Sequence, residues 1–573
     1  MTLLKDPPSP RHSTALDRVM PRSGFDLSGT RLAERAGWLL VWFGVLAAGI
    51  TLWHFWWHDP VVAASGPLLV GAALGGMAWS WLTPSPRARV FQVTSTAAAA
   101  LAALLPQVLV IATRPFYVTD SAAFEDVGGR ALLHGENPYT VSMRAAARLL
   151  NVPNRYWTYT IDGGHVAHTS YPAGSFLLDV PAMVLGLGHN VVDFTDLVAW
   201  VVTGILIVAL LPTSLRWLGA LLLLSPVLVT MGTDAAFLPF LVLAAWRWDR
   251  FGVAGAGVAR WIGPVALGLA CAVKQMPWFF LPFLVIGVAM EARGRGERWA
   301  PLAGRYVAVT GIAFAAVNLP FILWNPLAWA RGSVLPLVDP LVADGQGVVS
   351  LATHGITGGV DLTLLSVAGA AAYATTIAAF AVWYPVLKRL WPLLLPVAFF
   401  FATRSLSSYF IDLVPVALVA AASVSAAPAA GGDGRRLRVR GAGLVAAIAL
   451  VAVALTALSF TRAPLQLQVL SVTTSSAGRT LDTVTVRVTN DTGGVVVPHF
   501  MVNTGNNPNG FLTTAGGRTV VLRAHRSATL TLVAPAHTVA PQVDAHWLME
   551  AYTVSPAALS TSPLVVWAPR APH

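Results

Sequence analysis

Charged residues are scarce in this chain: they make up 11% of its 573 residues, whereas hydrophobic residues make up 55%. With a mean hydropathy of +0.65, this composition excludes a soluble globular protein and indicates a polytopic membrane protein. Lysine occurs only at Lys5, Lys274 and Lys388, so arginine supplies nearly all of the net charge of +11. In a membrane protein this excess belongs in short loops beside the spans, where it sets orientation, and it does not indicate nucleic-acid binding.

Cysteine is nearly absent, since Cys271 is the single one. This excludes a disulfide and a cysteine metal site within one chain. The first 35 residues are polar and lack an apolar core region. Residues 1–35 are therefore expected to be a disordered cytoplasmic tail and not a signal peptide.

Apolar runs between residues 36 and 462 predict a membrane core of about thirteen spans. The spans are expected at 37–58, 61–82, 93–114, 194–212, 216–231, 234–248, 259–274, 277–291, 303–324, 362–385, 390–403, 405–425 and 441–461. The stretch 172–187 is apolar but short, and the connection after it has no Lys or Arg. It is therefore expected to be a re-entrant or membrane-edge helix.

The arginine distribution predicts the orientation of these spans. Arg87 and Arg89 place the second connection in the cytoplasm, so the amino terminus is expected to be cytoplasmic. Two long loops, 115–171 and 325–361, then lie on the external side together with the carboxyl terminus. These loops exceed plain connectors in length, which favours local structure and a role.

From about residue 463 the sequence changes to strand-like alternation, as in Val484-Thr485-Val486-Arg487-Val488. The strands are separated by Gly, Asn and Pro turns, which predicts an extracytoplasmic β-sandwich over 463–573. The pattern specifies no ligand, so a structural role is favoured over carbohydrate binding.

The stretch from Tyr117 to Tyr139 directly follows a span, and Asp120 stands at its start. Apolar residues then recur at helical spacing, while Asp126 and Arg130 lie four residues apart, which predicts a helix along the membrane surface. Asp120 has two interpretations, because an aspartate here is either the N-cap of this helix or a functional acid. The other acids of the stretch are expected to be surface or helix-pairing groups: Glu125, Asp126 and Glu136.

Three features of this region resemble the first external loop of the GT-C superfamily of membrane glycosyltransferases. They are an acid after a span, the run Leu132-Leu133-His134-Gly135-Glu136-Asn137-Pro138-Tyr139, and the pair Tyr171-Pro172 that opens the next apolar stretch. The match is to the bacterial polyprenol-phosphate-mannose and -arabinose transferases, although most members have a proline where this chain has Ala173. The resemblance covers about residues 93–425.

This resemblance implies a function for the chain. It would be an inverting glycosyltransferase of a bacterial plasma membrane that moves mannose or arabinofuranose from a polyprenol-phosphate donor. The acceptor would be a cell-envelope glycan or glycolipid on the external face. No cofactor is expected, a divalent metal is either not required or its need is undecided, and the lipid bilayer is the expected partner. The lack of a glycine-rich nucleotide-binding loop is consistent with a lipid-linked donor.

By resemblance, Asp120 would be the catalytic base. Lys274, His354 and Arg404 are candidate partners for the donor phosphate, because the predicted topology places all three on the external side. Each also has a simpler interpretation: Lys274 as a snorkelling lysine, Arg404 as an interfacial anchor and His354 as an ordinary loop histidine. The motif residues or their neighbours are further candidates for substrate binding: Arg130, Asn137, Tyr139 and Tyr171.

Two other classes of function remain open from the sequence. A transporter or flippase of envelope precursors would use intramembrane acids and bases, often with repeat symmetry, and no repeat is apparent. A non-catalytic assembly scaffold would use the external sandwich and would tolerate the loss of Asp120.

Overall fold

The computed structural model describes residues 31–55, 60–83, 85–114, 116–188, 190–224, 235–253, 255, 257–425, 434–474, 480–504, 508–535 and 546–566. The predicted cytoplasmic tail lies outside these residues as far as residue 30. Residues 31–35, expected to belong to the disordered tail, are helical, because the first described helix begins at Arg31. The helical part of the chain extends to Ser459, and a β-rich domain follows.

Long stretches of Ala, Leu and Val without charge form the membrane part. Its long helices are Arg31–Phe55, Pro60–Leu82, Arg89–Thr113, Val191–Leu210, Trp299–Trp324, Leu362–Val382 and Gly434–Ser459. Its shorter helices are Asp120–Leu133, Ala146–Leu149, Gly174–Val184, Arg216–Leu223, Leu238–Ala245, Ala259–Val273, Leu281–Gly294, Pro326–Ser333, Ser350–Thr353, Tyr384–Leu387, Leu394–Phe399, Ser408–Ile411 and Leu413–Ser423.

Seven helical stretches in the described residues are long and apolar enough to cross a membrane: Leu32–His54, Arg89–Thr113, Val191–Leu210, Met276–Gly294, Trp299–Trp324, Leu362–Val382 and Gly441–Ser459. A helix of 25 residues such as Arg89–Thr113 is about 37 Å long, which exceeds the ~30 Å hydrocarbon core of a bilayer. Large apolar side chains on these helices face outward, as with Leu323, which is 74% exposed. A bilayer is the solvent that accommodates such a surface.

Some stretches expected as spans are shorter helices. The stretch 390–403 contains helix over Leu394–Phe399, preceded by a single 3-10 turn at Trp391–Leu393. The stretch 172–187, expected to be a re-entrant or membrane-edge helix, contains the helix Gly174–Val184. Its 11 residues span about 16 Å, which is too short to cross a bilayer. Parts of the expected spans 216–231 and 234–248 lie outside the described residues.

The expectation of a β-rich domain after about residue 463 is confirmed. The strands of the described residues are β1 (Asp344–Gly345), β2 (Gly359–Asp361), β3 (Arg404–Ser405), β4 (Leu465–Thr474), β5 (Leu481–Asn490), β6 (His499–Asn503), β7 (Pro508–Thr514), β8 (Ser527–Val533), β9 (His546–Val554), β10 (Ala557–Thr561) and β11 (Val565–Val566). The alternation in β5 has its expected consequence, since Val484, Val486 and Val488 are fully buried.

The nine-stranded sheet of this domain includes a strand from the membrane part. The strand order is β2-β10-β9-β6-β7-β8-β5-β4, and β11 pairs with β9. The sheet folds over on itself, because β4 at one end contacts β9 and β10 near the other. Since β2 belongs to the loop 325–361, main-chain hydrogen bonds join the β-rich domain to the membrane part.

A buried apolar cluster strengthens this junction. It brings together the loop residues Tyr159 and Val349, the helix residue Leu365, and Met501 and Tyr552 of the β-rich domain. Both long loops therefore pack against the β-rich domain. The space between these loops and the helix ends forms the candidate site.

Candidate functional site

A cavity of about 1150 Å³ lies where the two long loops, the ends of several helices and the β-rich domain meet. Five of the eight residues predicted for the site line it: Asp120, Tyr171, Lys274, His354 and Arg404. The cavity wall also contains the charged residues Arg114, Asp339 and Asp344. The structure thus places three carboxylates and three basic side chains, besides His354, around one space large enough for a ligand.

Asp120 is held in this wall by the loop 115–171. Its Oδ2 accepts a hydrogen bond of 2.6 Å from the backbone N–H of Thr158, and its Oδ1 accepts one of 3.1 Å from the Thr158 hydroxyl. The residue is 4% exposed. Burial raises the pKa of Asp120 above its ordinary value, while the hydrogen bonds from Thr158 and the charge of Arg404 offset part of that rise.

The interpretation of Asp120 as an N-cap is wrong. The N-cap of the helix Asp120–Leu133 is Thr119, whose side-chain oxygen accepts a hydrogen bond from the backbone N–H of Ala122. Asp120 is the first residue of the helix, and its carboxylate faces the cavity wall at Thr158. The Asp120 side chain is therefore not needed to cap the start of the helix.

The position of this helix along the membrane surface stays a prediction, but the expectation of Glu125 and Asp126 as surface groups is wrong. The helix packs against Gly174–Val184 and Val191–Leu210, and Glu125 and Asp126 are 4% and 1% exposed. Asp126 accepts a hydrogen bond of 2.8 Å from the Tyr117 hydroxyl and forms an ion pair with Arg130. The expected pairing of Asp126 with Arg130 is confirmed. A local periodicity cannot reveal neighbours on the far side of a helix.

Arg404 is positioned by a short parallel pairing of β1 with β3. Asp344 lies opposite Arg404 in this pairing, and its carboxylate Oδ2 is 4.0 Å from a terminal nitrogen of the guanidinium. Gly345, with φ of +118°, lies so close to the Ser405 backbone that any side chain would clash with it. The loop is therefore built to hold Arg404 in place.

Arg404 faces two carboxylates and retains hydrogen-bonding capacity. Burial raises the pKa of Asp344, and the positive charge of Arg404 offsets part of that rise, as it does for Asp120. The Nε atom of Arg404 is buried and has no hydrogen-bond partner among the described residues. An anionic ligand in the cavity would supply one.

Lys274 follows the helix Ala259–Val273 and is 5% exposed. Its ammonium lies 5.6 Å from the ring centre of Tyr171 and 5.6 Å from that of Phe237, which are cation–π distances. The carboxylates that act on it electrostatically are Asp412, Asp196 and Glu125. Lys274 is therefore a buried cation at the cavity wall and not a snorkelling lysine.

The neighbouring Gln275 links this part of the wall to two other segments by hydrogen bonds. Its side-chain amide donates hydrogen bonds of 2.7 Å and 3.0 Å to the carbonyl oxygens of Ser170 and Ser333. His354 also lines the cavity, from an exposed position, and its Nδ1 is 3.0 Å from the Ser350 carbonyl oxygen. Because His354 is exposed to solvent, the structure leaves its ordinary-loop interpretation open.

Three predicted site residues do not line the cavity. Arg130 points to Asp126 and away from the cavity. The Asn137 side chain accepts a hydrogen bond of 3.0 Å from the Tyr139 backbone N–H, and the Tyr139 hydroxyl donates to the Tyr171 carbonyl oxygen at 2.9 Å. Asn137 and Tyr139 therefore shape the turn and hold the backbone of Tyr171, whose side chain does reach the cavity.

The β-rich domain contributes a residue to the cavity. Asn503 lines it and donates hydrogen bonds of 3.1 Å to the Thr353 carbonyl oxygen and 2.7 Å to Oε1 of Glu550. The Tyr552 hydroxyl donates to Oε2 of Glu550 at 3.0 Å. Glu550 is fully buried, so the domain meets the cavity through a buried polar network.

This network predicts that the stability of the β-rich domain falls as the pH rises. Burial raises the pKa of Glu550 to about 7, above its ordinary value of 4.5, so the folded state favours the protonated carboxyl group. The resulting stabilisation is fully present below pH 4.5 and is lost as the pH rises through 7, a loss of about 3 kcal/mol.

Hydrogen exchange of the β9 amides, corrected for intrinsic rates, measures this change as the free energy of opening at pH 5 and pH 8. Glu550→Gln should remove most of the pH dependence, whereas Asp482→Asn, at an exposed acid of β5, should preserve it. Equal pH dependence in the wild type and Glu550→Gln would contradict the assignment.

Several residues of the cavity were not singled out from the sequence: Thr158, Asp344 and Asn503. Thr158 and Asp344 have no distinguishing feature in the sequence. Only the fold brings Thr158 into contact with Asp120 and Asp344 next to Arg404. A carboxylate in a long loop is a weak signal by itself, and nothing local marks Asn503. Among the described residues, no group of three or more His, Cys, Asp or Glu is placed to hold a metal ion.

Comparison with protein-family models, with curated proteins and with solved structures finds no match for this chain.

Proposed function

We propose that this protein is an inverting membrane glycosyltransferase that uses a polyprenol-phosphate sugar, either mannose or arabinofuranose. The observation that carries the proposal is the single cavity in which Asp120 shares the wall with Lys274 and Arg404. A sugar joined to one phosphate needs cations for the phosphate and a base for the acceptor hydroxyl. This cavity offers both beside helices suited to a bilayer.

In the proposed reaction, Asp120 accepts the proton of an acceptor hydroxyl as its oxygen attacks the anomeric carbon. The bond between that carbon and the phosphate oxygen breaks on the opposite face, which inverts the configuration. Arg404 and Lys274 balance the negative charge that the departing polyprenol phosphate gains. The acceptor would be a cell-envelope glycan or glycolipid.

The wider proposal is a GT-C-like core of about thirteen spans plus a membrane-edge helix. Its amino terminus would be cytoplasmic, and the β-rich domain would be an extracytoplasmic sandwich. The arginine distribution supports this orientation. The contacts are consistent with it. The two long loops pack against each other and against the β-rich domain, on the side predicted to be external. Lys388 and Glu291 form an ion pair at helix ends on the side predicted to be cytoplasmic.

The decisive assay measures transfer of radiolabelled mannose or arabinofuranose from synthetic polyprenol phosphates to a short glycan acceptor. The purified full chain in detergent should form product with one donor and release polyprenol phosphate. Failure with both donors across several glycan and glycolipid acceptors, by protein that remains folded, would overturn the proposal.

The orientation gives a separate prediction. In a Cys271→Ala background, cysteines replacing the exposed His354 and Asp491 should react with an impermeant thiol reagent in intact spheroplasts. A cysteine replacing Arg298, which is also exposed but lies on a predicted cytoplasmic connection, should react only after permeabilisation. The reverse pattern would place the cavity on the cytoplasmic side.

A further inference from the structure

A second pocket lies between three helices away from the cavity. It has a volume of about 460 Å³ and is lined by Arg89, Thr96, Ile205, Val208, Ala209 and Arg216. The helix Arg89–Thr113 starts here, Val191–Leu210 ends here, and Arg216–Leu223 begins here. We call it the Arg89–Arg216 pocket. Because it lies at the ends of two helices long enough to cross a bilayer, it lies at the level of lipid headgroups.

No acidic side chain among the described residues pairs with either arginine of this pocket. Other arginines at span ends do have an acidic partner, since Arg87 pairs with Glu34 and Arg114 pairs with Asp193. Two positive charges therefore border a small pocket without a matching negative charge from the described part of the chain.

Polar atoms at the pocket wall also lack partners. The Nε of Arg216 and the hydroxyl of Thr96 are buried, and neither has a hydrogen-bond partner among the described residues. Buried donors of this kind are costly unless a ligand or water satisfies them. A phosphate group accepts several hydrogen bonds and suits the planar guanidinium.

The wall is held in place by Gln92, which is 2% exposed. Its side-chain oxygen accepts a hydrogen bond of 3.2 Å from Arg216, and its amide donates to the carbonyl oxygens of Thr213 and Pro86 at 2.8 Å and 3.2 Å. One residue thus joins the two connections that carry the arginines. The pocket is therefore preorganised, which lowers the entropic cost of binding.

The remaining wall is apolar and open to the bilayer. Ile205 is 54% exposed, and Val202 and Val93 on the same two helices are 40% and 60% exposed. An acyl chain can lie along this surface while its headgroup reaches the arginines. A free phosphate ester would use the cations but leave the apolar surface uncovered.

We propose that the Arg89–Arg216 pocket binds an anionic phospholipid. The headgroup phosphate lies between the guanidinium groups of Arg89 and Arg216, and an acyl chain follows Ile205 and Val208. This site is separate from the cavity around Asp120 and does not depend on the reaction proposed there. Basic pockets between spans on the cytoplasmic side are suited to such headgroups.

The test measures binding of a fluorescent phosphatidylglycerol to the purified full chain in neutral detergent, with phosphatidylcholine of the same acyl length as the comparison. The double variant Arg89→Gln and Arg216→Gln should weaken phosphatidylglycerol binding by about thirtyfold, since each arginine near a headgroup contributes about fivefold. Arg216→Lys, which keeps the charge, should lose about threefold or less.

The matched control is the double variant Arg298→Gln and Arg305→Gln, which removes two exposed arginines at the start of the helix Trp299–Trp324. It should change binding by less than twofold. Equal losses in both double variants would show that binding follows overall charge and would overturn the site. Equal affinity for phosphatidylcholine, or for glycerol phosphate without acyl chains, would overturn the anionic lipid as its ligand.

Discussion

Replacing Asp120 by asparagine should lower sugar transfer by about a hundred- to ten-thousand-fold, the usual effect of losing positioned proton transfer. Asparagine keeps the size of the side chain and one acceptor for the hydrogen bonds from Thr158. Because Thr119 and not Asp120 caps the helix, the fold should persist. Donor affinity should stay within about threefold, so the loss should appear in kcat.

The control for this variant has to be a nearby acid whose loss does not disturb packing. Glu125 and Asp126 are unsuitable because both are buried, and their substitution would mix stability with activity. Glu136 is exposed in the same loop, so Glu136→Gln should transfer sugar at close to the wild-type rate. If Asp120→Asn matched Glu136→Gln in rate, Asp120 would not be the base.

Replacing Arg404 by glutamine should lower kcat/KM by about thirtyfold to several thousandfold. The estimate is the 2–5 kcal/mol typical of removing one partner from a buried, hydrogen-bonded charge pair. In the proposed complex that partner is the donor phosphate. Arg404→Lys should be intermediate, since lysine keeps the charge and loses the planar fork.

The same variant should also change the pH dependence. Arg404 lowers the pKa of Asp120 against the larger effect of burial, so its removal raises that pKa further. A base with a higher pKa is protonated at a higher pH, so the acid limb of kcat/KM moves upward. Arg331→Gln, at an exposed arginine in the loop 325–361, should leave both the rate and the limb in place. An unshifted limb in Arg404→Gln would show that Arg404 does not act on the base.

The sequence was sufficient to suggest Asp120 by its resemblance to a family motif, and Lys274, His354 and Arg404 by their predicted side of the membrane. It was not sufficient to show that they share a cavity. That depends on contacts between segments far apart in sequence, such as the parallel pairing of Asp344 with Arg404. The junction of the β-rich domain with the loop 325–361 is of the same kind.

The sequence by itself determined that the chain has a membrane part and a β-rich part. Both follow from local patterns, namely long apolar runs and alternation, whose consequences need no knowledge of distant neighbours. The tertiary structure decided which acids are buried and which residue caps the Asp120 helix. It also decided that Asn503 reaches the cavity and that Arg89 and Arg216 border one pocket. The burial of a side chain and its distance from other side chains result from packing between distant segments, so a local sequence pattern cannot predict them.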